Sequence, residues 1–456
     1  NQSGPIWFYC NPRGYLHLSP TFKNTVKILL FTNTYAPHVG GVARSVNTLE
    51  NACREWGHSV RVIAPEFDDA ESSEHVLRVP AIQNFNGSDF SVRIPVPNVI
   101  RNFIEDFAPE VIHSHHPFLL GDAALRTARR LHVPIVFTHH TLYERYTHYV
   151  PFDSLAMKRI AIRLATEYCN MCDTVIAPSR SVAKLLKERG VEVPIHSIPT
   201  GIDFDAFANG DGARLRKKLG IPHESTVIGL VSRVAHEKNL PFIAEAVTLY
   251  LQENPDAIFL LVGEGSAMKE TLAIFRDRGI DAHRIHAPGR MTGDALIDAY
   301  AAIDCFTFAS QTETQGLVLA EAMASSTPVV ALDGPGVREI MDNGKNGLML
   351  PSDADAKAFA RAIRRIAHDT DFAADCAKAA RDTARNYSIP ICTQQVLDCY
   401  YEVIEKKKQR SKTENDFGAW DRFMDNIENE WDLLMAKLAA VSATVGKAKA
   451  TEANLD

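Results

Sequence analysis

The sequence predicts an α/β protein with two lobes, each built on an open parallel sheet that is flanked by helices. Three observations support this prediction. Short apolar segments with strand composition alternate with helical segments along most of the chain. The alternation stops at a polar, glycine-containing stretch, 209–222, and then starts again. The length of 456 residues also exceeds the roughly 250–300 residues that one hydrophobic core usually supports.

The first lobe is predicted to span residues 24–208. It opens with a buried strand at 26–31, followed by a loop at 34–41, a helix at 42–56 and a second strand at 59–64. Further apolar runs predict the remaining strands, at 111–113, 135–137, 174–177 and 195–198. The strands at 111–113 and 135–137 both end in polar residues, where a parallel sheet faces its ligands.

The second lobe is predicted to span residues 213–388, with the stretch 209–222 as the linker. Its strands are expected at 227–231, 257–262, 304–309, 328–332 and 347–350, with helices between them. Ligands of open parallel sheets bind outside the carboxyl ends of the strands. We therefore expect the functional site in a cleft between two facing sheets.

Three segments lie outside the lobes. Residues 1–23 form an N-terminal extension, and helical periodicity at 391–408 predicts a final helix over 389–408. The tail, 409–456, carries nine acidic and four basic residues from position 413 onward, with apolar side chains at helical spacing. We interpret it as an acidic amphipathic segment that docks within the protein or its oligomer, with another partner or a membrane as alternatives.

Composition excludes several classes. The net charge of −7 argues against electrostatic binding of nucleic acid by the chain as a whole. No apolar run reaches the ~18 residues of a membrane-spanning helix, and residues 1–20 lack the pattern of a signal peptide. The eight scattered cysteines fit a reducing compartment, so a cytoplasmic location is expected. The CxxC pair Cys169 and Cys172 lies in a predicted helix, where a structural role is favoured over metal or redox chemistry.

The strongest functional motif lies between the strand 305–309 and a helix that begins at Leu317. A helix start offers unpaired N–H groups and a positive dipole end, which suit a diphosphate. Gly316 lets a ligand approach the backbone closely. Glu313 and Glu321 lie eight residues apart around this helix start, so the two carboxylates can bracket one extended ligand. An acidic helix cap with a solvated glutamate is the structural alternative.

Two further loops carry residues suited to phosphate. Arg233 and Lys238 follow the strand 227–231, and such cations match phosphate oxygens, above all when negative charge develops on a leaving diphosphate. Solvated surface cations are the alternative. The pair Gly40 and Gly41 follows the first strand and permits close backbone approach, although it does not fit the dinucleotide pattern GxGxxG.

Five histidines follow two neighbouring strands, namely His113, His115, His116, His139 and His140. No carboxylate accompanies them at a metal-binding spacing, so no metal site is expected. We predict that most of these are hydrogen-bonded histidines at strand ends and that one of them faces the cleft. The sequence Asp203-Phe204-Asp205 has DxD spacing, but its place near the lobe boundary favours a helix cap.

Together these residues resemble the retaining glycosyltransferases of the GT-B fold, a family that includes phosphatidylinositol mannosyltransferases and bacterial diacylglycerol glucosyltransferases. The resemblance covers about residues 26–405. It depends on five motifs that occur in the family's order, namely Gly40-Gly41, Pro199-Thr200-Gly201-Ile202-Asp203, Arg233 with Lys238, Gly263-Glu264-Gly265, and two glutamates separated by seven residues, Glu313 and Glu321.

The resemblance implies a role for each site residue. The donor diphosphate contacts residues of both lobes, namely Gly40, Gly41, Arg233, Lys238 and the backbone near Gln315, Gly316, Leu317 and Val318. Glu321 binds the ribose, and Glu313 contacts the transferred sugar. His140, in the family's aromatic-His-Thr pattern, contacts the sugar near the reacting carbon, although His139 replaces the aromatic residue. No metal or other cofactor is implied, and same-face substitution would retain the anomeric configuration.

Within the family, residues 138–149 and 312–318 are most similar to diacylglycerol glucosyltransferases. This similarity implies UDP-glucose as donor, a membrane lipid as acceptor, and peripheral contact with the inner face of an anionic membrane. The helix 157–164 mixes cations with aliphatic residues and is suited to such contact, with a soluble helix face as the alternative. The final helix resembles the family's crossover helix, which returns to the first lobe.

Other functions stay open at this point. The same chemistry could act on a soluble saccharide or a small metabolite. A nucleotide-sugar epimerase or a phosphorylase could use a similar scaffold, although no phosphorylase cofactor-lysine motif is found. An inactive transferase that serves as a scaffold is disfavoured, because the carboxylates and the cations are intact.

Overall fold

The computed structural model describes residues 7–10, 16–19, 25–38, 40–67, 73–82, 92–93, 97–142 and 155–410. It contains two lobes, each with one parallel sheet, of seven strands in the first lobe and six in the second. The predicted fold class is confirmed. The predicted amphipathic segment of the tail and most of the N-terminal extension lie outside the described residues.

The described residues of the N-terminal extension and the first lobe contain the strands β1 Trp7–Cys10, β2 Leu16–Ser19, β3 Lys27–Phe31, β4 Ser59–Pro65, β5 Val76–Val79, β6 Ala81–Ile82, β7 Val92–Arg93, β8 Val111–Ser114, β9 Ile135–Thr138, β10 Thr174–Ala177 and β11 Ile195–Ser197. The parallel sheet has the order β11-β10-β9-β8-β3-β4-β5, whereas β1–β2 and β6–β7 are separate antiparallel pairs. The order of the large sheet therefore reverses direction between β3 and β8.

Helices cover both faces of this sheet. They are α1 Gly41–Glu55, α2 Pro97–Glu105, α3 Leu120–Leu131, α4 Leu155–Asn170 and α5 Arg180–Glu188. Residues of α2 to α5 form one apolar core with the sheet. On the other face, α1 packs together with the last helix of the described residues, whose Leu397 and Tyr400 are fully buried. The crossover that the sequence predicts is therefore present.

The second lobe contains the strands β12 Val227–Val231, β13 Ile258–Val262, β14 Ile285–Gly289, β15 Cys305–Phe308, β16 Val329–Leu332 and β17 Gly347–Leu350. Its sheet has the order β14-β13-β12-β15-β16-β17 and reverses between β12 and β15. The remaining helices are α6 Phe204–Ala208, α7 Gly212–Leu219, α8 Leu240–Glu253, α9 Met268–Asp277, α10 Gly293–Ala301, α11 Leu317–Ala324, α12 Pro335–Arg338, α13 Ala356–His368, α14 Thr370–Arg385 and α15 Ile389–Arg410.

The linker prediction for 209–222 is wrong in its local structure, because most of this stretch is the helix α7. The Asp211 side chain accepts a hydrogen bond from the N–H of Arg214 at 2.9 Å, and Gly220 ends the helix in the left-handed conformation. The aspartate and the glycine that suggest a linker are thus the two caps of a helix. Strands β5 and β14 were also missed, since β5 is only partly buried and β14 contains a proline and a glycine.

The chain crosses between the lobes at two hydrogen-bonded segments. The N–H of Ile202 donates to the carbonyl of Tyr387 at 2.8 Å, and the N–H of Ile389 donates to the carbonyl of Ile202 at 3.0 Å. A Cβ atom on Gly201 would lie 2.6 Å from the Cα of Ile389. A larger residue at position 201 would clash with the backbone of Ile389 at this crossing. Packing therefore explains the glycine of the Pro-Thr-Gly motif.

Candidate active site

Four loops meet at the cleft because each follows a strand beside a reversal in strand order. In open parallel sheets these reversals create the crevice in which ligands bind. The glycine pair Gly40 and Gly41 follows β3, and the histidine segment begins with His113 near the end of β8 and continues beyond the strand. Arg233 and Lys238 follow β12, whereas Glu313 follows β15. The topology thus brings the predicted motifs of both lobes to the reversal points.

The start of α11 is built as the sequence predicts. Gly316 is its N-cap residue in the left-handed conformation, with φ of 76°, and no side chain caps the helix. A Cβ atom on Gly316 would lie 2.9 Å from the carbonyl oxygen of Gly336. The helix geometry leaves the N–H groups of Leu317 and Val318 without an intrahelical acceptor, so they can face a ligand, whereas the N–H of Leu319 donates to the carbonyl of Gly316 at 2.9 Å.

Lys238 and Glu313 form an ion pair in front of this helix start. Their side chains are largely buried, at 16% and 23% exposure, so the pair is shielded from water. The hydroxyl of Ser310 donates to the carbonyl of Glu237 at 3.1 Å and thereby ties the two loops together. Arg233 lies on the same loop and pairs with Glu237 at 2.5 Å. One of the two predicted cations therefore contacts the predicted sugar-binding carboxylate directly.

The motif Gly263-Glu264-Gly265 supports the cation loop. A Cβ atom on Gly263 would lie 1.8 Å from the carbonyl oxygen of Ser232, and one on Gly265 would lie 2.2 Å from that of Val234. The N–H of Val234 donates to the carbonyl of Glu264 at 2.8 Å. These glycines let the two loops pack backbone to backbone, which fixes the start of the segment that carries Arg233 and Lys238.

Glu321 is buried, with 2% of its side chain exposed, and it is held by two partners. The hydroxyl of Tyr300 donates to one carboxylate oxygen at 2.5 Å, and the guanidinium of Arg44 contacts the other at 2.5 Å. Arg44 belongs to α1 of the first lobe, so this ion pair crosses the cleft. The negative charge of Glu321 raises the pKa of Arg44, and burial raises that of Tyr300.

The same stretch of the second lobe contacts the first lobe again through Thr314 and Gln315. The side chain of Gln315 accepts a hydrogen bond from the N–H of Thr200 at 2.9 Å and donates to its carbonyl at 2.8 Å. The hydroxyl of Thr314 donates to the carbonyl of His140 at 3.5 Å. The loop of Glu313 therefore lies against His140, whereas the side chain of Gln315 serves the lobe crossing.

A further contact between the lobes was not expected from the sequence. The carboxylate of Glu339 accepts hydrogen bonds from the N–H groups of Arg180 and Ser181, at 3.0 and 2.7 Å, and from the Ser181 hydroxyl at 2.6 Å. These N–H groups belong to the first turn of α5, so a residue of one lobe caps a helix of the other. Nothing in the sequence near Glu339 identifies this partner.

The glycine pair has an open environment on its ligand side. A Cβ atom on Gly41 would meet nothing within 4 Å, and the φ of Gly41 lies outside the left-handed region. A Cβ atom on Gly40 would lie 3.1 Å from Nε2 of His38. The fold itself therefore does not require glycine at position 41.

Among the five strand-end histidines, His113, His115, His116 and His140 have side-chain hydrogen bonds, as predicted for most of them. Nδ1 of His115 lies 2.9 Å from Nε2 of His140, and Nδ1 of His116 accepts from the N–H of Asn33 at 3.0 Å. His113 contacts Tyr400 and is considered below. Burial lowers the pKa of His113 and of His116 to about 3, and lowers those of His115 and His140 well below the usual range. These imidazoles are therefore neutral at pH 7.

The structural interpretations of the other motifs also hold in the described residues. The Asp203 side chain accepts from the N–H of Ala206 at 3.1 Å and caps α6, as predicted. Cys169 and Cys172 are unpaired and buried, and burial raises the pKa of both thiols. In the described parts of the chain, no group of three His, Cys, Asp or Glu residues is placed to hold a metal ion. No helix there is long and apolar enough to cross a membrane.

Two family models match the two lobes in turn. The family described as Glycosyltransferase Family 4 matches residues 39–206, and Glycosyl transferases group 1 matches residues 211–383. The chain belongs to the GT-B glycosyltransferases. The predicted resemblance to GT-B glycosyltransferases is thereby confirmed.

Curated relatives of this glycosyltransferase include lipid-modifying enzymes. It is 26% identical to an alpha-monoglucosyldiacylglycerol synthase of Acholeplasma laidlawii, over 84% of this chain and 99% of the relative. It is 29% identical to the Streptococcus pneumoniae enzyme of the same name, over 71% and 75%. A GDP-mannose-dependent alpha-mannosyltransferase of Corynebacterium glutamicum is 26% identical, over 83% and 89%.

Solved structures share the fold of this glycosyltransferase. A sucrose-phosphate synthase from Thermosynechococcus elongatus aligns with a TM-score of 0.67 and 20% identity, over 84% of this chain and 100% of that one. Anabaena HepE in complex with UDP and glucose aligns with a TM-score of 0.64 and 21% identity, over 83% and 100%.

Proposed function

We propose that this glycosyltransferase transfers a glucosyl group from UDP-glucose to a hydroxyl group of a membrane lipid such as diacylglycerol, with retention of the anomeric configuration. One observation carries the proposal. The Lys238–Glu313 pair stands at the uncapped start of α11, and the loop of Glu313 touches His140 of the opposite lobe through Thr314. An ion pair and helix start suited to a diphosphate thus lie close to a polar residue of the first lobe, which supports the proposal.

The donor would span this cleft from Glu321 to His140. The diphosphate would contact Lys238, Arg233 and the first N–H groups of α11, because cations and helix starts both favour phosphate oxygens. Gly40 and Gly41 would cover it from the first lobe. Glu321 would take the ribose hydroxyls, while Glu313 and the neutral His140 would bind hydroxyls of the sugar. Since the cations neutralise the diphosphate, we propose that no metal ion is required.

The chemical step would break the bond between the anomeric carbon and the phosphate oxygen and form a bond from that carbon to the acceptor oxygen. Negative charge grows on the leaving UDP, and Lys238 and Arg233 would stabilise it. The acceptor proton would pass to the departing phosphate oxygen on the same face of the sugar. Attack and departure on one face leave the configuration unchanged, which is why we propose retention.

The lipid acceptor is supported by the names of the two synthases and by helix α4. Arg159 and Arg163 are exposed on this helix, and Ile162 lies between them with partial exposure. Cations interspersed with aliphatic side chains suit the surface of an anionic bilayer. We therefore propose peripheral contact with the cytoplasmic face of a membrane.

Gly41→Ala tests the donor site without disturbing the fold. Because a Cβ atom there meets nothing within 4 Å, the variant should be as stable as the wild type or slightly more stable. Its free energy of unfolding in urea should rise by less than about 1 kcal/mol. UDP affinity in calorimetry should nevertheless fall at least ten-fold. Lys238→Ala should also lose UDP binding, whereas Lys217→Ala, which removes an exposed cation on α7, should not. Unchanged UDP affinity in Gly41→Ala and Lys238→Ala would refute the site.

Product analysis tests the donor, the acceptor and the stereochemistry. Purified enzyme would receive UDP-glucose or GDP-mannose with vesicles of phosphatidylglycerol, with and without diacylglycerol. We expect an α-glucosyl lipid only from UDP-glucose with diacylglycerol, identified by mass spectrometry and by the NMR coupling of the anomeric proton. A β-linked product would refute retention. Soluble sugars would be added as acceptors in a parallel reaction. Transfer to these sugars with none to diacylglycerol would show that the acceptor is a saccharide and not a lipid.

A further inference from the structure

The contact between His115 and His140 joins two neutral imidazoles through a single proton. Nδ1 of His115 and Nε2 of His140 lie 2.9 Å apart, and the rings stack with centroids separated by 5.2 Å. One nitrogen must donate and the other accept, since two bare nitrogens or two N–H groups would repel each other. The position of this proton therefore sets which nitrogen of His140 carries its own hydrogen.

The surroundings of His115 favour one of the two arrangements. His115 is 1% exposed, and its Nε2 is buried without a hydrogen-bond partner among the described residues. If His140 donated, the hydrogen of His115 would lie on this Nε2 as a buried, unpaired N–H group, which is rare in folded proteins. If His115 donates from Nδ1, its hydrogen is used. Nε2 of His140 then accepts, and the hydrogen of His140 lies on Nδ1.

The ring of His115 is itself held in place. Its centroid lies 4.1 Å from that of His113. His113 has hydrogen bonds at both nitrogens, to the Tyr400 hydroxyl at 2.6 Å and to the Thr138 hydroxyl at 2.7 Å. Tyr400 belongs to the crossover helix α15, so the orientation of His115 is fixed by the core of the first lobe. A donor whose position is fixed can select one tautomer of the histidine to which it donates.

We infer that His115 is a positioning residue that fixes His140 in the tautomer with hydrogen on Nδ1. The nitrogen of His140 that His115 does not contact is then a hydrogen-bond donor, suited to a hydroxyl or ether oxygen of the sugar. The inference about the tautomer stands on the geometry alone. Its consequence for transfer rests on the proposed function, in which His140 faces the transferred sugar.

Two substitutions at one position separate the donor role from packing. In His115→Asn the side-chain NH2 group takes about the place of Nδ1 and can still donate to His140. In His115→Leu the volume is similar but no donor remains. The tautomer of His140 would be read from the ¹⁵N shifts of its ring nitrogens in histidine-labelled protein, with the resonance assigned by its loss in His140→Ala. Thermal unfolding and circular dichroism would show that each variant is folded.

The wild type and His115→Asn should both show a His140 with hydrogen on Nδ1. His115→Leu should show the other tautomer or a mixture. In the transfer assay, kcat of His115→Leu should fall roughly 100-fold with little change in the KM for donor, since a misplaced catalytic group can cost about that factor. His115→Asn should recover most of this loss.

The possible outcomes are distinct. A His140 that keeps the Nδ1 tautomer in folded His115→Leu would overturn the inference. So would a wild-type His140 with hydrogen on Nε2, or equal loss of kcat in the Asn and Leu variants with an unchanged tautomer. If no donor gives transfer in the wild type, the proposed function fails, yet the ¹⁵N shifts still decide the role of His115.

Discussion

Acidification should destabilise this glycosyltransferase through its buried, neutral histidines. Burial lowers the pKa of His113 and His116 to about 3, whereas the imidazole of an unfolded chain titrates near 6.5. Below pH 6.5 the unfolded chain therefore binds a proton at each position that the folded chain does not bind. The free energy of unfolding falls as the pH is lowered, and this loss continues until the folded histidine titrates near pH 3.

The size of the effect follows from the two pKa values. Between pH 8 and pH 5 each such histidine should remove about 2 kcal/mol from the free energy of unfolding, so His113 and His116 together should remove about 4 kcal/mol. His115 and His140 add to the loss in the same direction, because burial lowers the pKa of both. A loss of this size is a large part of the roughly 5–15 kcal/mol that stabilises a typical domain.

His116→Asn isolates one of these contributions. The side-chain oxygen of asparagine can replace Nδ1 of His116 as the acceptor for the N–H of Asn33, a bond of 3.0 Å, but it does not titrate. Urea unfolding would be followed by fluorescence and circular dichroism at pH 8, 7, 6 and 5. The variant should resemble the wild type at pH 8 and should lose about 2 kcal/mol less by pH 5.

Two results would refute this reasoning. The curves of stability against pH for His116→Asn and the wild type would run parallel if His116 did not differ in protonation between the folded and unfolded chains. His223→Asn, which removes an exposed imidazole, serves as the control. If the control showed the same gain at pH 5 as His116→Asn, the effect would belong to net charge and not to burial.

Two further predictions concern the donor site. Arg44→Gln should tighten UDP binding about five-fold in calorimetry, because in the proposed donor site the ribose can reach Glu321 only after Arg44 leaves it, and an ion pair with one partly exposed partner is worth about 1 kcal/mol. Arg126→Gln, which breaks an exposed ion pair within α3, is the control, and weaker UDP binding by Arg44→Gln would instead make Arg44 a donor-binding residue. Gly263→Ala should lower the free energy of unfolding by about 3 kcal/mol and weaken UDP binding, because its Cβ would lie 1.8 Å from the Ser232 carbonyl oxygen. Gly279→Ala, with a φ of +74° and nothing within 4 Å, should cost only about 1 kcal/mol, and equal losses in the two glycine variants would exclude the steric explanation.

The sequence was informative where local chemistry decides the structure. The strands at 174–177, 227–231 and 347–350 and the helix 317–324 have the predicted bounds, because continuous apolar runs and a glycine at the helix start leave little choice. Helix α7 is absent from the prediction for the opposite reason. The aspartate and the glycine that cap it are residue types that are also typical of a linker. Local patterns do not distinguish an aspartate that caps a helix from one in a loop.

The site was predicted only in part, because its remaining contacts depend on the packing of distant segments. Arg44 stands in the segment with the glycine pair, but its partner Glu321 is 277 positions away in the sequence. In the sequence, nothing distinguishes Tyr300 from an ordinary core residue. Its hydrogen bond to Glu321 forms because α10 packs on α11. Glu339 and His115 act through partners that only the arrangement of the two lobes and the two strands brings close.

The return of α15 to the first lobe has a consequence for biosynthesis. Leu397 and Tyr400 complete the apolar layer beneath α1, and no other segment in the described residues fills their place. A ribosome releases the sheet of the first lobe about two hundred residues before it releases this helix. One face of that sheet therefore stays uncovered while the second lobe is synthesised, and the first lobe completes its core only after α15 has left the ribosome.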